Sequence, residues 1–345
     1  MRQSAKRILA IMLSVALAFT LLSTAVHAAN AWPTEDFETG RAPLWLPTRL
    51  IKWVHDLRNT FLNGTKLDSL LIMHNGKLVF EEYYNGYDAE TPHYMASVTK
   101  SVVSALTGIA IGDGLIGGVD DKVVKYFPEA RDMPGWEESK AGMTVEHLLM
   151  MTSGIRSETD EIWDGYFAED QKDAALYAFL IPQETAPGEA FYYDNIAPTI
   201  LLGIIERASG RKLLDYAQEK LFGPIGMTSV KWETTADGLP AGGFGIDMTP
   251  RDMMRFGCLY LNNGEWDGRQ VIPANYVADT QPSGKDDYGY MFWRRYKSVY
   301  AYEAAGSNGQ NIIIIPKLNV IIVRTTDVWD FIRDVGKFFW PFGRG

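Results

Sequence analysis

Two alternating apolar segments, Leu67 to His74 and Lys77 to Tyr84, are separated only by Asn75-Gly76. Asn-Gly accepts the positive φ angles that a two-residue turn between twisted strands requires, so this stretch reads as a β-hairpin. A second hairpin is expected near the other end, where Asn311 to Ile315 and Val320 to Thr325 flank Pro316-Lys317-Leu318-Asn319. Val328 to Phe339 follows, with apolar residues at Val328, Phe331, Ile332, Val335 and Phe339, a helical stripe able to cover a sheet. Between the hairpins the pattern is helical. Val98 to Ile111 reads as one helix and Ile196 to Ala208, ending at Gly210, as another. Thr144 caps a short helix over Val145 to Met151, and Thr249-Pro250-Arg251-Asp252 places a cap, a first-turn proline and an N3 carboxylate before Met253 to Leu261. The fold class expected is α/β (α+β): one antiparallel sheet built from both chain ends and flanked by helices, with a mainly helical region inserted. Residues 29–115 and 225–345 then form a discontinuous sheet domain, and 116–224 the helical region.

The first 28 residues have the anatomy of a secretory signal. Arg2, Lys6 and Arg7 precede an apolar run from Ile8 to about Leu22, and Val26-His27-Ala28 is a small-x-small cleavage site. The mature chain is expected to start near Ala29, in the periplasm or the medium, with no stable membrane span after cleavage. The alternative is an uncleaved N-terminal membrane anchor, because Ile8 to Val26 is nearly long enough to span a bilayer. Ser14, Thr20, Ser23 and Thr24 dilute that run and favour cleavage.

Composition removes several classes of function. With 46% hydrophobic and 22% charged residues the chain is not disordered or low-complexity, and Lys+Arg 33 against Asp+Glu 43 gives a net charge of -10, the wrong sign for holding phosphate backbones. Nucleic acid is therefore not an expected partner. The single cysteine, Cys258, excludes an intramolecular disulfide, a cysteine-based zinc site and an iron–sulfur cluster. The five histidines include no His-Glu-x-x-His, and there is no Gly-x-Ser-x-Gly elbow. The last histidine is His147, so a Ser…Asp…His order ending in a C-terminal histidine is unavailable. A reactive serine here needs a base other than imidazole.

Ser97-Val98-Thr99-Lys100 supplies one. A lysine three residues after a serine on the first turn of a helix shares its face. Its amine must be neutral to act as a base, which burial and neighbouring positive charge would favour. Ser209-Gly210-Arg211-Lys212 has the same spelling but sits past a helix end, as a cap with solvated charges. In Tyr193-Asp194-Asn195 a phenol and an amide two residues apart can project to one side. Tyr83-Tyr84-Asn85 and Tyr260-Leu261-Asn262 fit by spelling, but fall in a strand and in an apolar helix where packing is the expected role. Ala304-Ala305-Gly306-Ser307 enters the last hairpin, where glycine allows close approach and the backbone N–H of Ser307 could pair with that of Ser97 as an oxyanion hole; a β-bulge is the plainer reading. Gly112-Asp113-Gly114-Leu115-Ile116-Gly117 spells a dinucleotide fingerprint, but it follows a helix where the fingerprint must open one.

The order of these elements resembles the serine β-lactamase and penicillin-binding-protein-like hydrolases, in the class C-related branch that includes esterases and 6-aminohexanoate-dimer hydrolase. The likeness runs from about Leu67 to Thr326. It rests on Ser97-Val98-Thr99-Lys100-Ser101, on the stretch from Thr144 to Gly154, and on Pro187-Gly188 leading to Tyr193-Asp194-Asn195. Leu201 to Glu206, Pro224 to Met227, Arg251-Asp252 and Tyr288-Gly289-Tyr290 add to it. The resemblance implies Ser97 as nucleophile, Lys100 as its base, Tyr193 as proton relay and Asn195 as the residue orienting Lys100 and substrate, with no metal or organic cofactor. One departure concerns the third motif. Relatives acting on β-lactams or D-alanyl-D-alanine usually begin it with Lys or His, whereas here Ala304 stands there, weakening recognition of a carboxylate by about 1.5–3 kcal/mol if that contact is a charge-assisted hydrogen bond. The expected substrate is a small uncharged ester or amide, with Gly306, Trp163 and Tyr290 as candidate substrate contacts. A β-lactamase or D-alanyl-D-alanine carboxypeptidase, and a non-catalytic sensor or scaffold, remain as alternatives.

Overall fold

Strands β1 (Leu67–His74) and β2 (Lys77–Tyr83) meet at Asn75-Gly76, which takes φ +52° and +74°. The computed structural model describes residues 33, 36–42, 67–157, 159–282, 287–296 and 300–326. The signal segment 1–28 and the 328–339 stripe lie outside the described residues. Five short strands form two small sheets, β3 (His93–Tyr94), β4 (Lys231–Trp232) and β5 (Ile246–Met248) in one, and β6 (Glu265–Trp266) and β7 (Arg269–Gln270) in the other. The last strands among the described residues are β8 (Tyr288–Gly289), β9 (Phe292–Tyr296), β10 (Ala301–Gly306), β11 (Gln310–Ile315) and β12 (Val320–Thr326).

Seven strands form one antiparallel sheet in the order β2-β1-β12-β11-β10-β9-β8. The N-terminal hairpin joins the C-terminal meander through β1 and β12, with Leu71 opposite Val323 and Met73 opposite Ile321. That seam explains the near-continuous apolar runs of β1, β11 and β12: a central strand covered on both faces cannot alternate with polar residues. Leu70, Ile72, Ile313 and Ile322 face one way, and Leu71, Met73, Ile312, Ile314, Ile321 and Val323 the other.

Among the described residues the α-helices are α1 (Val98–Gly112), α2 (Val145–Leu149), α3 (Asp160–Tyr166), α4 (Ala174–Leu180), α5 (Pro198–Ser209), α6 (Leu213–Ala217), α7 (Pro250–Leu261) and α8 (Ala274–Asp279). Thr144 makes a capping box with His147, and the Thr249 hydroxyl accepts from the Asp252 N–H, as their spelling suggests. The second helix of the sequence reading starts at Pro198 rather than Ile196, because the Asp194 carboxylate takes the N–H groups of Ile196 and Ala197 in a turn before it. The Val145 helix stops at Leu149, since Met151 turns to φ +57°. The Gly112–Gly117 fingerprint leaves the C-terminal end of α1, preceded by helix and not by strand.

Helix α7 lies on the sheet over β12, β11 and β1, where a β-carbon at Gly257 would come within 2.9 Å of Ile312 and Ile321. Helix α1 is buried along nearly its whole length, from Val98 to Ala110, between β10 and α5. Its N-terminal end therefore opens where sheet and helical region meet. Among the described residues no helix is long and apolar enough to cross a membrane.

Candidate active site

Ser97 stands where β3 hands the chain to α1. The Met95 N–H donates to the Ile246 carbonyl at 2.7 Å, extending the β3–β5 ladder to the turn. Ala96 then takes φ +47°, a left-handed conformation that costs a residue with a β-carbon about 1–2 kcal/mol. Thr99 holds it there: its hydroxyl donates to the Ala96 carbonyl at 2.8 Å and accepts the Ile246 N–H at 3.3 Å. The half-buried Ser97 is thus fixed at the helix N-terminus, with Lys100 one turn on.

The Lys100 amine is buried and has three oxygen neighbours: Ser97 Oγ at 3.2 Å, Asn195 Oδ1 at 2.8 Å and the Gly243 carbonyl at 2.8 Å. The charged amine donates to all three. A neutral amine has two donors and one lone pair, and the two carbonyl-type oxygens can only accept. Losing its proton therefore leaves both 2.8 Å bonds in place and turns the lone pair toward the Ser97 hydroxyl. Burial pushes this amine down to about 7, opposed by the negative charge of Asp194. The sequence reading invoked positive neighbours as well, but desolvation is the cause here and the neighbouring charge acts against it.

Tyr193 and Asn195 reach the same amine, whose nitrogen lies 4.6 Å from the Tyr193 ring centroid. Asp194 between them turns away and is buried. Its Oδ1 accepts from the N–H groups of Ile196 and Ala197 at 2.7 and 2.6 Å, and its Oδ2 from the N–H and hydroxyl of Ser157 at 3.0 and 2.5 Å. Four bonds to one carboxylate lock the turn that presents the phenol and the amide. Sequence reasoning assigned Asp194 no part, although an Asp just before a helix is a turn signal.

Gly243 was also missed. Its backbone passes so close to Asn195 that a β-carbon would lie 2.1 Å from the Asn195 carbonyl, and the Gly242 N–H donates to the Thr199 hydroxyl at 3.0 Å. The run Ala241-Gly242-Gly243-Phe244-Gly245 was the available signal. Gly243→Ala is expected to displace an acceptor of Lys100, lowering turnover at least tenfold and stability by about 1–3 kcal/mol through overpacking. Ester kinetics and a thermal melt check both.

The end of β10 closes the other side. A β-carbon at Gly306 would lie 2.2 Å from the Met95 carbonyl and 3.3 Å from the Ala96 β-carbon, so this strand end is pressed onto the turn before Ser97. Exposed Ser307 follows at once. The turn at 307–309 is held from behind by Arg324, which donates to the Gly309 carbonyl at 3.0 Å and to Asn311 Oδ1 at 2.8 Å, and by Thr326, whose hydroxyl donates to the Asn308 carbonyl. Ala304 is fully buried, with its methyl group among the core side chains. Half-buried Trp163 meets Phe244 at 5.7 Å between ring centroids, next to Gly243. Tyr290 is buried, its ring against Tyr276 and its hydroxyl donating to Glu146 at 2.9 Å. The spelling matches elsewhere fall outside this cluster: Lys212 pairs with Glu206, Tyr83 donates to Glu81, and Tyr260 packs on Phe256 and Phe292.

Residues 66–335 match the family described as Beta-lactamase. The chain belongs to that family. Among curated members it is 21% identical to the 6-aminohexanoate-dimer hydrolase of Paenarthrobacter ureafaciens, over 76% of this chain and 73% of that one. It is 25% identical to Beta-lactamase-like protein 2 of Dictyostelium discoideum, over 71% of this chain but 52% of the other, so it spans about half of that relative. Of solved structures, a candidate 6-aminohexanoate-dimer hydrolase from Bacillus anthracis superposes with a TM-score of 0.68 at 23% identity, covering 90% of each chain. A class C beta-lactamase gives 0.65 at 17% identity, over 83% of this chain and 93% of that one. These likenesses establish the fold: a large antiparallel sheet flanked by helices, in a family of hydrolases with serine-hydrolase members.

Proposed function

We propose that the protein is an exported serine hydrolase that cleaves an uncharged ester or amide through an acyl-enzyme on Ser97. The observation that carries this reading is the buried Lys100 amine set among Asn195 Oδ1, the Gly243 carbonyl and Ser97 Oγ, so that on losing a proton it keeps its bonds to the first two and turns its lone pair to the Ser97 hydroxyl. Ser97 gives its proton to Lys100 as Oγ attacks the substrate carbonyl. The oxyanion that forms is held by the N–H groups of Ser97 and Ser307, at the positive end of α1. Collapse breaks the bond to the leaving group, which takes the proton from Lys100 by way of the Tyr193 phenol. Water then attacks the acyl carbon, giving its proton back along the same route, and Ser97 is released with the acid. The buried methyl of Ala304 supports an uncharged substrate, since a carboxylate would find no cation at that position.

The test uses the mature chain recovered from the periplasm or medium, whose first residue is expected near Ala29. Incubation with a fluorophosphonate should label Ser97 and stop hydrolysis of p-nitrophenyl butyrate. Ester turnover that persists after complete labelling would overturn the proposal, and nitrocefin hydrolysis as fast as good ester turnover would move the substrate class to β-lactams.

A further inference from the structure

Large apolar side chains left in water on a folded protein call for a reason when they cluster. Phe191 is 50% exposed and Phe167 is 38% exposed, and each belongs to an aromatic group touching the Ser97–Lys100 site. Phe191 packs edge-on against Tyr288 at 5.3 Å and Trp293 at 6.2 Å, and those two rings also contact Tyr193, at 6.2 and 5.5 Å. On the Gly243 side Phe167 stacks on Trp163 at 6.1 Å, and both meet Phe244, which follows the carbonyl that binds Lys100. Two aromatic walls thus border the reacting groups, one through Tyr193 and the other through the chain at Gly243-Phe244, and each ends in an exposed ring.

The charges around these walls point the same way. Asp160, Glu161, Asp164, Glu169 and Asp170 are exposed on and just after α3, around Trp163 and Phe167. Arg156, beside Tyr192, is paired with Glu184 at 2.9 Å, and Arg294 next to Trp293 is paired with Asp287 at 3.4 Å. A negative substrate would meet the carboxylates around Trp163 and Phe167, and Ala304 supplies no cation to offset them.

We propose that the site selects an uncharged substrate bearing a bulky apolar chain or aryl ring, held against the Phe191–Tyr288–Trp293 wall and the Trp163–Phe167–Phe244 wall. This rests on the acyl-enzyme reading above. Each methylene removed from water contributes a factor of about three to four when fully buried, so a long chain should be favoured at least tenfold even if half buried.

The experiment compares the rate of covalent labelling by methyl and octyl fluorophosphonates, together with kcat/KM for p-nitrophenyl acetate and octanoate. The long-chain member of each pair is expected to react at least tenfold faster. Phe191→Ala and Trp163→Ala should each shrink that ratio severalfold, whereas Leu214→Ser, at an exposed apolar position on α6, should leave it unaltered. A p-nitrophenyl hemisuccinate should react at least tenfold more slowly than the neutral ester of equal length, with the gap narrowing in high salt. Brisk labelling with no chain-length preference, or a preference untouched by both aromatic substitutions, would overturn the substrate class and leave the acyl-enzyme intact. Labelling by neither reagent would instead overturn the acyl-enzyme reading and this inference with it.

Discussion

Ser97→Ala is expected to lower kcat for a p-nitrophenyl ester by roughly 10⁴–10⁶-fold, the range seen when the nucleophile of a cooperating catalytic set is removed. The substitution takes away one half-buried oxygen and leaves the turn intact, because Ala96 is held by Thr99 and by the β3–β5 ladder rather than by the serine side chain. The thermal midpoint should therefore move little. Residual activity within tenfold of the parent would show that another group forms the covalent bond, or that water attacks directly. Binding of an apolar ester should survive in this variant, since no aromatic wall residue is altered.

The second large effect belongs to Lys100. With the amine pushed down to about 7, ester turnover should rise with pH through about 7 and level off above it, as the neutral base becomes populated. Lys100→Met should cost about 10²–10⁴-fold, the usual contribution of a positioned base, and the rise near 7 should vanish. Lys100→Arg should be no better, because a guanidinium does not lose its proton at working pH. Unfolding gives a readout independent of turnover. The folded protein holds the lysine proton less tightly than the unfolded chain, whose lysine titrates near 10.4. Between about 7 and 10.4 the unfolded state therefore binds more protons, and stability rises with pH across that window. Below about 7 both states are charged and the full penalty is present, on the order of 4 kcal/mol for a shift of this size. Lys140, also buried and pushed down to about 8, contributes in the same direction. The difference in pH dependence between parent and Lys100→Met isolates the Lys100 share, and identical urea-melt profiles for the two across pH 6 to 10 would contradict the buried neutral amine.

Much of this site was legible because its chemistry is local. Ser97 and Lys100 are three residues apart on one helical turn, and Tyr193 and Asn195 two apart in one bend, so spacing alone put each pair on a common face. The hairpins were legible for a similar reason, since Asn75-Gly76 dictates its own turn. The less readable parts are main-chain groups and long-range pairings. Gly243 contributes a carbonyl, which every residue carries, and its value comes from lying close to Asn195 and Lys100 across the fold. Asp194 looked like a spacer inside a motif until its four bonds, two of them to Ser157, showed it to be the bracket of the turn. Aromatic residues were the least specific signal: Trp163 borders the site through Phe244, whereas Tyr290 is committed to Glu146 and Tyr276.

By itself the amino-acid order determined the elements and their faces: where strands turn, where helices begin, and which serine has a lysine one turn away. Only the tertiary structure decided that β1 pairs with β12 in the register that sets Leu71 opposite Val323, that the end of β10 presses on the turn before Ser97, and that the amine of Lys100 is stripped of water and bonded by Asn195 and Gly243. The physical reason is one of range. Turn propensity and helical periodicity act within a few residues, whereas desolvation and close backbone approach depend on segments that meet only after the core has closed.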